Sequence, residues 1–518
     1  MSKEPSPDRT TTSAAFRPTR RSLLVGGVGV GVAGLLAACT DASPAPAPTA
    51  SGSASTSSGP TTWSGLAAAT IGALLRSGSS GWDSARVLRN PRYDDADPQG
   101  ILRVAGTDDV VAGLAFARTS GTPVALRSGG HSYTGWSAGG AAGTGVPRSL
   151  VISTAGLDSI RLSSDGSSVT IGPGAKLLDV YTRLAAAGRA IGAGSCATVG
   201  IGGLALGGGI GVLVRSFGLT CDQLTGAELV TADGRVHAVS ADTEPDLFWA
   251  CRGGGGGTLG VVTSLTLKTQ AAPDVLMFRV TFPWSAAAAV VAAWQRWAPT
   301  ADRKLWSSLK LLGGSLHPSG PAVSVSGTWT GSKTGADASV DGFVRDTGVT
   351  PLSHTATATS YGAAMRGYAG SGARVSEAAT SSIGTRMLTT AQIGTLIGQV
   401  EKASAVPGMT DGGVSLDALG GAVGDLGATD TAFPWRSALW SAQYTATFAD
   451  GADTAPFDAS VRGFRAAMQP AWGDAAYANY CDAAITDPSS YFGDNTSRLH
   501  RIAQSADPDG MFAQPHWV

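Results

Sequence analysis

The sequence is poor in charged residues and has no excess of either sign. Only 14% of its 518 residues are charged, whereas a typical soluble domain has about 25%. The 37 Lys and Arg residues are balanced by 38 Asp and Glu residues, which leaves a net charge of −1. A chain without a basic excess lacks the attraction that drives binding to phosphate backbones. We therefore expect no nucleic-acid partner.

Cysteine is also scarce, and no pair of cysteines has metal-site spacing. The five residues are Cys39, Cys196, Cys221, Cys251 and Cys481. They form no CxxC motif and are too few for a disulfide scaffold, so we predict no metal site. Because the count is odd, at least one cysteine is unpaired or has another role. The hydrophobic share of 43% excludes global disorder, and the length suggests two or three domains.

The N-terminus lacks an apolar run long enough to cross a membrane. The run from Leu23 to Ala38 is shorter than the ~20 residues that a transmembrane helix needs. It follows the pair Arg20-Arg21 and predicts an export signal that resembles the twin-arginine type. An ordinary secretory signal is the alternative.

The end of that signal, Leu36-Ala37-Ala38-Cys39, resembles a bacterial lipobox and implies a lipid anchor at Cys39. The alternative is a small-residue cleavage site with an incidental cysteine. Residues 40–62 are rich in Ala, Ser, Thr and Pro and predict a flexible tether. We therefore divide the start of the chain into a signal (1–39) and a tether (40–62). The expected location is the outer face of the cell membrane as a lipoprotein, or outside the cell.

Glycine is abundant and clustered, with 72 residues in all. A short buried strand over 123–126 is predicted to lead into Arg127-Ser128-Gly129-Gly130-His131-Ser132, whose consecutive N–H groups suit a diphosphate. A second stretch holds eight glycines from Gly194 to Gly211. Its GxGxxG string has no strand directly before it, and Leu204–Leu206 is too short for the helix that should follow. A nicotinamide-binding Rossmann enzyme is therefore only a weak alternative, and the lack of a Walker lysine excludes P-loop chemistry.

The remaining pattern predicts a mixed α and β organisation. In the first half, helices are expected over 108–120 and 176–187, strands over 149–154 and 168–172, and a hairpin over 228–239. From about 275 to 470, strands at 277–282 and 322–329 alternate with helices at 286–297 and 390–402. This second pattern is typical of an α+β domain whose sheet is covered by helices on one face.

Together these segments resemble the berberine-bridge-enzyme-like branch of the vanillyl-alcohol-oxidase type flavoproteins. The resemblance starts near Asn90, is dense from Asp108 to about Lys268, and returns at Tyr477-Ala478-Asn479-Tyr480 and at 507–512. It implies an α+β fold with a two-part FAD-binding domain over 63–274. A substrate domain would cover 275–470, with an antiparallel sheet covered by helices. A C-terminal segment (471–518) would return to the FAD domain.

The resemblance also implies a covalently bound FAD. In this family a histidine in the position of His131 is bonded to the 8α-methyl group of the flavin, and a cysteine in the position of Cys196 forms a second bond. Val199 occupies a position where valine favours reaction with oxygen, so an oxidase that makes hydrogen peroxide is favoured over a dehydrogenase. Tyr133 and Trp136 are expected to line the pocket. The other residues expected to bind the cofactor are Arg127, Ser128, Gly129, Gly130, Ser132, Gly194, Thr198, Gly200, Gly202, Gly203, Gly207, Gly208, Gly211, Gly260, Val261, Val262 and Asn479.

The expected chemistry is oxidation of a hydroxyl group, which needs a base for the hydroxyl proton. A free tyrosine has a pKa near ~10, so cationic or hydrogen-bonding neighbours would have to lower it. Family members use tyrosine in the Y-x-N-Y segment; we expect Tyr480 to be the base first and Tyr477 second. Asn479 is expected to point away from Tyr480 in an extended segment. Gln443 shares a strand face with Ser441 that lies over the flavin in family members.

The predicted function is FAD-dependent oxidation of a sugar or small secondary metabolite, by hydride transfer to the flavin and electron transfer to oxygen. Three alternatives remain open from the sequence. The first is an FAD dehydrogenase with another acceptor, and the second is an oxidase that forms C–C or C–N products from an alkaloid-like substrate. The third is a surface lipoprotein that retains flavin and only binds a ligand.

Overall fold

Three main β-sheets organise residues 59–514, the part of the chain that the computed structural model describes. The arginine pair, the lipobox, most of the tether and residues 515–518 lie outside the described residues. Within the described part, no helix has the length and apolar character needed to cross a membrane.

The first two sheets come from the N-terminal half. The strands of this half are β1 (Ala73–Leu75), β2 (Gly100–Arg103), β3 (Val124–Arg127), β4 (Leu150–Ser153), β5 (Ile160–Leu162), β6 (Ser168–Ile171), β7 (Arg189–Ala190), β8 (Leu224–Val230), β9 (Val236–Ser240), β10 (Val261–Lys268) and β11 (Gln270–Ala271). One sheet has the order β1-β2-β4-β3, with parallel pairing of β4 to both β2 and β3. The other is antiparallel, in the order β5-β6-β10-β8-β9. Strands β7 and β11 form a small separate pair.

The third sheet is antiparallel throughout, in the order β15-β12-β14-β13-β17-β18-β16. Its strands are β12 (Asp274–Phe282), β13 (Leu305–Gly313), β14 (Ala322–Trp329), β15 (Ser353–Ser360), β16 (Ser376–Gly384), β17 (Asp411–Ala418) and β18 (Trp440–Phe448). On one face, alternate side chains such as Trp440, Ala442 and Tyr444 pack against helices in one hydrophobic core. The other face carries the intervening polar side chains and turns toward the N-terminal half, which leaves polar groups available for a site.

The helices fill the faces of these sheets. They are α1 (Trp63–Ala69), α2 (Trp82–Arg86), α3 (Thr107–Ser120), α4 (Leu177–Ala186), α5 (Ile201–Leu206), α6 (Val214–Phe217), α7 (Pro245–Cys251), α8 (Ala287–Trp297), α9 (Lys333–Thr347), α10 (Tyr361–Tyr368), α11 (Thr390–Ser404), α12 (Ala455–Trp472), α13 (Ser489–Phe492) and α14 (Thr496–Ala506). Helices α8, α9, α11 and α12 supply the apolar side chains that cover the seven-stranded sheet. The predicted α+β class, with an antiparallel sheet covered by helices, is confirmed.

The C-terminal segment pairs with the strand that leads into the first glycine-rich loop. The backbone N–H of Val124 donates to Met511 O at 2.9 Å, and the N–H of Ala513 donates to Val124 O at 2.8 Å. The chain end therefore extends the four-stranded sheet beside β3. In the second glycine stretch, α5 is a six-residue helix, and residues 191–200 before it hold no strand. This arrangement lacks the strand that a Rossmann motif places directly before its glycines.

Candidate active site

A cavity of about 490 Å³ lies between the glycine-rich loops and the polar face of the seven-stranded sheet. Its volume falls in the range of about 300–1,000 Å³ that small-molecule and cofactor sites occupy. One wall consists of the loop after β3 and of the glycine stretch from Gly194 to Leu206. The opposite wall comes from β13, β14, β17 and β18, and residues Ala478–Cys481 close one side. Both predicted glycine motifs therefore face one common site.

The two glycine-rich loops touch each other at the base of this cavity. A Cβ atom on Gly129 would lie 2.1 Å from the backbone nitrogen of Gly200, so neither position accepts a side chain. The Ser128 hydroxyl donates to Pro173 O at 2.6 Å and fixes the loop from behind. A Cβ atom on Gly203, in contrast, would meet no atom within 4 Å and would occupy cavity space. The glycines thus leave room for a ligand against the backbone, which fits the diphosphate of FAD.

Arg127 lines the same cavity, but its guanidinium group is engaged by the protein. It donates to the carbonyl oxygens of Ser137 at 2.8 Å and of Ala85 at 2.5 Å. Burial lowers its pKa to about 10. Arg127 therefore mainly stabilises the turn at Ser137 that follows the loop, because its guanidinium N–H groups bind backbone oxygens.

His131 is held as a neutral imidazole at the end of the loop. Its Nε2 atom lies 2.9 Å from the Thr198 hydroxyl. Burial lowers its pKa to about 3, and the positive charges of Arg89 and Lys176 act in the same direction. A neutral imidazole has a free nitrogen lone pair, so this residue can act as a nucleophile at neutral pH.

Cys196 is a free cysteine that is exposed in the same cavity. The cavity walls still desolvate the thiol and raise its pKa, while the positive charges of Arg89 and Lys310 oppose that effect. The structure thus brings the two residues expected to attach the flavin into one cavity. The positions and chemistry of these side chains fit a flavin bonded at both.

Tyr480 lies in the cavity within a cluster of aromatic rings. Its ring contacts Tyr133 edge to face at a centroid distance of 5.9 Å and Tyr477 at 5.0 Å. Gln443 donates from Nε2 to the Tyr133 hydroxyl at 2.8 Å. Burial raises the pKa of Tyr480 well above 10, and the negative charge of Asp417 raises it further. The expectation of a lowered tyrosine pKa is therefore wrong, because a carboxylate and other phenols surround this hydroxyl.

Tyr477 does not line the cavity, which corrects its assignment as the second candidate base. Its hydroxyl accepts hydrogen bonds from the backbone N–H groups of Gly209 at 2.8 Å and Ile210 at 3.1 Å. It also accepts one from Asn479 Nδ2 at 3.0 Å. A buried hydroxyl that already accepts three bonds supports the second glycine stretch and is badly placed to take a substrate proton.

Asn479 and two predicted cofactor glycines also have a different arrangement from the one expected. Residues Ala478–Tyr480 form a 3₁₀ turn, not an extended segment. Asn479 lines the cavity and donates from Nδ2 to Leu204 O at 2.9 Å. Gly207 lies behind it, because a Cβ atom there would be 2.1 Å from Asn479 Oδ1. Gly208, with φ +118°, lies beside the Tyr477 ring. Both glycines therefore pack behind the cavity wall.

Most of the other predicted site residues do line the cavity. They are Arg127, Ser128, Gly129, Gly130, His131, Ser132, Tyr133, Trp136, Gly194, Cys196, Val199, Gly200, Gly202, Gly203, Gly211, Gly260, Val261, Val262, Gln443, Asn479 and Tyr480. Thr198 lies just outside and contacts His131.

Sequence reasoning missed two charged residues on the sheet wall. Asp417 on β17 pairs in register with Ser308 on one side and Ser441 on the other, and Lys310 lies on β13 opposite Ser415. Burial raises the pKa of Asp417, an effect that the charge of Lys310 opposes. An acidic residue on the polar face of an alternating strand is a signal for Asp417. Only the pairing of distant strands, however, brings it into the cavity that Tyr480 also lines.

Comparison with known protein families agrees with this geometry. The family described as "FAD binding domain" matches residues 98–240. The family described as "Berberine and berberine like" matches residues 476–518. These two matches cover the glycine-rich loops and the segment that contains Tyr480.

Individual relatives align over most of the chain. The FAD-linked oxidoreductase YgaK of Bacillus subtilis is 31% identical over 423 residues, which cover 80% of this chain and 90% of the relative. Chitooligosaccharide oxidase of Gibberella zeae is 28% identical over 473 residues, which cover 85% of this chain and 91% of the relative. The structure of glucooligosaccharide oxidase from Acremonium strictum superposes with a TM-score of 0.77 at 26% identity, covering 87% of this chain and 97% of that one. That protein is described as carrying a 6-S-cysteinyl, 8α-N1-histidyl FAD.

Proposed function

The chain belongs to the berberine-bridge-enzyme-like family of FAD-linked oxidoreductases, and we propose that it oxidises a hydroxyl group of a sugar with dioxygen as the electron acceptor. FAD would be bonded to both His131 and Cys196. The observation that carries this proposal is the single cavity that His131 and Cys196 share with Tyr480 and Asp417. When bound, FAD supplies a hydride acceptor for the carbon that bears the hydroxyl group and passes two electrons to dioxygen, giving hydrogen peroxide.

The chain's own residues would manage the hydroxyl proton. Tyr480 would take this proton at its phenol oxygen while it passes its own proton to Asp417. A raised pKa makes the Asp417 carboxylate a stronger proton acceptor than an ordinary aspartate. Gln443 would hold Tyr133 against the Tyr480 ring and so fix the position of the base. This division of roles suits a tyrosine whose own pKa is too high for it to be ionised in advance.

The lining of the sheet wall supports a carbohydrate substrate. Hydroxyl groups come from Ser308, Ser326 and Ser415, and the larger rings of Trp306 and Tyr368 lie at the same wall. Such a surface offers hydrogen bonds to several hydroxyl groups and flat apolar area to a sugar ring. The relatives named as chitooligosaccharide, glucooligosaccharide and xylooligosaccharide oxidases favour a sugar over an alkaloid-like molecule. Val199 in the cavity lining supports oxygen as the acceptor.

The direct test combines cofactor attachment with a substrate screen. Purified protein should keep its yellow colour and a mass gain of one FAD after acid denaturation. His131→Ala and Cys196→Ala should each keep the flavin through the one covalent bond that remains. The double variant should lose the flavin on denaturation. Oligosaccharides of glucose, xylose and N-acetylglucosamine would then be tested for peroxide release. Colourless protein from flavin-supplied cells would contradict the flavoenzyme proposal, and flavin bleaching without peroxide would indicate a dehydrogenase.

We also propose that the protein is exported and anchored by a lipid at Cys39. The support comes from Arg20-Arg21 and the Leu36–Cys39 sequence, which lie outside the described residues. Replacing Arg20 and Arg21 by lysine should block export in fractionated cells. Cys39→Ala should move exported protein from the membrane fraction to the medium. Membrane retention of the Cys39→Ala protein would argue against the anchor.

A further inference from the structure

A short segment around Arg89 connects the His131 loop to the seven-stranded sheet. The backbone N–H of Arg89 donates at 3.0 Å to the carbonyl oxygen of Gly130, the residue before His131. Its guanidinium group forms an ion pair with Glu377 on β16. The neighbouring Asn90 side chain binds both the backbone oxygen of Glu377, at 2.8 Å, and its backbone nitrogen, at 3.3 Å. Arg89 is thus held from both sides of the cavity that it lines.

Arg89 is the charge that acts on both attachment residues. Among the described residues, the charged groups that influence His131 are Arg89 and Lys176, and those that influence Cys196 are Arg89, Glu377 and Lys310. The Arg89 side chain is only 24% exposed, so solvent screens its charge weakly. A nearby positive charge disfavours the imidazolium ion and favours the thiolate. Neutral histidine and thiolate are the nucleophilic forms of these residues.

We propose that Arg89 is a positioning residue for the covalent attachment of FAD. Gly130 and Glu377 hold Arg89 in the cavity that His131 and Cys196 line. This inference rests on the proposed attachment at both residues. At His131 an N–H and a methyl C–H bond break and an N–C bond forms. At Cys196 an S–H and a ring C–H bond break and an S–C bond forms. In each case the two electrons and two protons released reduce one dioxygen to hydrogen peroxide.

The test follows attachment by the full-length chain as a function of pH. Chain produced in a riboflavin-limited host is mixed with FAD in air, and peptide mass spectrometry measures flavin at each residue over time. In Arg89→Met, attachment at Cys196 should slow by about tenfold or more near neutral pH, where burial already keeps His131 neutral. Its pH profile at Cys196 should move upward by about one pH unit, the usual size of such a charge effect. Arg89→Lys should restore much of the rate, because it retains the charge.

Arg374→Met is the matched control. Arg374 binds the same segment, through Leu88 O at 2.8 Å and an ion pair with Asp94. Its charge is not among those that act on His131 or Cys196. This variant should attach flavin with the rate and pH profile of the wild type.

A second readout needs no flavin. The rate at which iodoacetamide alkylates Cys196 in the flavin-free chain reports the thiolate fraction at each pH. Its midpoint should move up in Arg89→Met and down in Glu377→Gln, which removes a negative charge near the same thiol. The inference would be overturned if the alkylation midpoint moved in the same direction in both variants, or did not move in Arg89→Met. This holds even if Arg89→Met attaches flavin slowly because it folds poorly. A wild-type chain without attached flavin would instead contradict the proposed attachment itself.

Discussion

Tyr480 and Tyr477 lie three residues apart, but their hydroxyl groups have different surroundings. Tyr480 faces the cavity that Asp417 also lines, whereas Tyr477 binds backbone N–H groups behind the wall. Tyr480→Phe and Asp417→Asn should therefore each lower kcat by about 10²–10⁴-fold, the usual contribution of acid–base catalysis. Steady-state peroxide release on a responsive sugar measures this effect, with absorbance after denaturation confirming unchanged flavin attachment. Wild-type turnover in both variants would remove these residues from the proton path.

Tyr477→Phe is expected to affect stability more than chemistry. Removing its hydroxyl leaves the buried N–H groups of Gly209 and Ile210 without their acceptor. An unsatisfied buried group costs about 1–3 kcal/mol. The thermal midpoint should therefore fall while kcat of the folded enzyme stays within a few-fold of the wild type. A kcat loss as large as that of Tyr480→Phe would restore Tyr477 as a candidate base.

The raised pKa of Asp417 predicts an acid limb in the pH profile. Burial disfavours the charged carboxylate and moves its pKa upward. Since only the ionised form can accept a proton, kcat/KM should fall as pH decreases, and it should do so at a higher pH than for an exposed aspartate. Asp417→Asn should lose this limb along with most of the activity. Persistence of the same limb in the weak residual activity of Asp417→Asn would assign the titration to another group.

At the scale of elements, Arg215 on α6 joins the N-terminal half to loops of the seven-stranded sheet. Its side chain is 1% exposed and donates to the carbonyl oxygens of Leu305 at 2.7 Å, Pro299 at 2.9 Å and Ala301 at 2.6 Å, and to that of Leu419. Arg215→Met leaves these acceptors without a donor, and we expect a loss of at least ~3 kcal/mol of unfolding free energy. Urea unfolding followed by tryptophan fluorescence measures this loss.

Arg303→Met is the matched control for this prediction. Arg303 pairs with Asp425 at the surface, with side chains 49% and 60% exposed. Exposed ion pairs contribute about 0–1 kcal/mol. If both variants lose the same stability, the buried network of Arg215 has no special role.

The elements that the sequence predicted are those whose apolar residues recur with a local period. Leu177, Tyr181 and Leu184 are buried on one face of α4, which begins and ends within one residue of the predicted range. Strand β15 (Ser353–Ser360) was not predicted, because its small polar residues are exposed and carry no such period. Asp417 and Lys310 were missed for a different reason. Their place in the site depends on the order of β13, β17 and β18, which no local pattern contains.

At the scale of the whole molecule, the site exists only where two separate sheet systems meet. The N-terminal half supplies the glycine-rich loops and attachment residues, and the later sheet supplies the polar wall. Contacts that fix these halves against each other therefore act on catalysis without touching a ligand. Arg92 illustrates this: it makes two bonds to Asp458, at 2.9 and 2.8 Å, beside the segment that carries Arg89.

A buried ion pair also crosses this boundary. Arg436, before β18, donates to both carboxylate oxygens of Asp222, before β8, at 2.9 and 2.8 Å. The side chains are 4% and 9% exposed. Asp222→Asn should cost about 3–5 kcal/mol, because it leaves the Arg436 charge buried without a countercharge.

The double variant Asp222→Asn/Arg436→Gln separates two explanations of this pair. It keeps amide groups able to hydrogen bond but removes both charges, and it should be more stable than Asp222→Asn alone. Thermal unfolding followed by flavin absorbance and by tryptophan fluorescence compares the variants. If the double variant is the more stable one, desolvation offsets most of the attraction between the two charges. The pair would then act chiefly to select one orientation of the two halves. A double variant less stable than Asp222→Asn would instead mean that the ion pair itself adds net stability to the closed cavity.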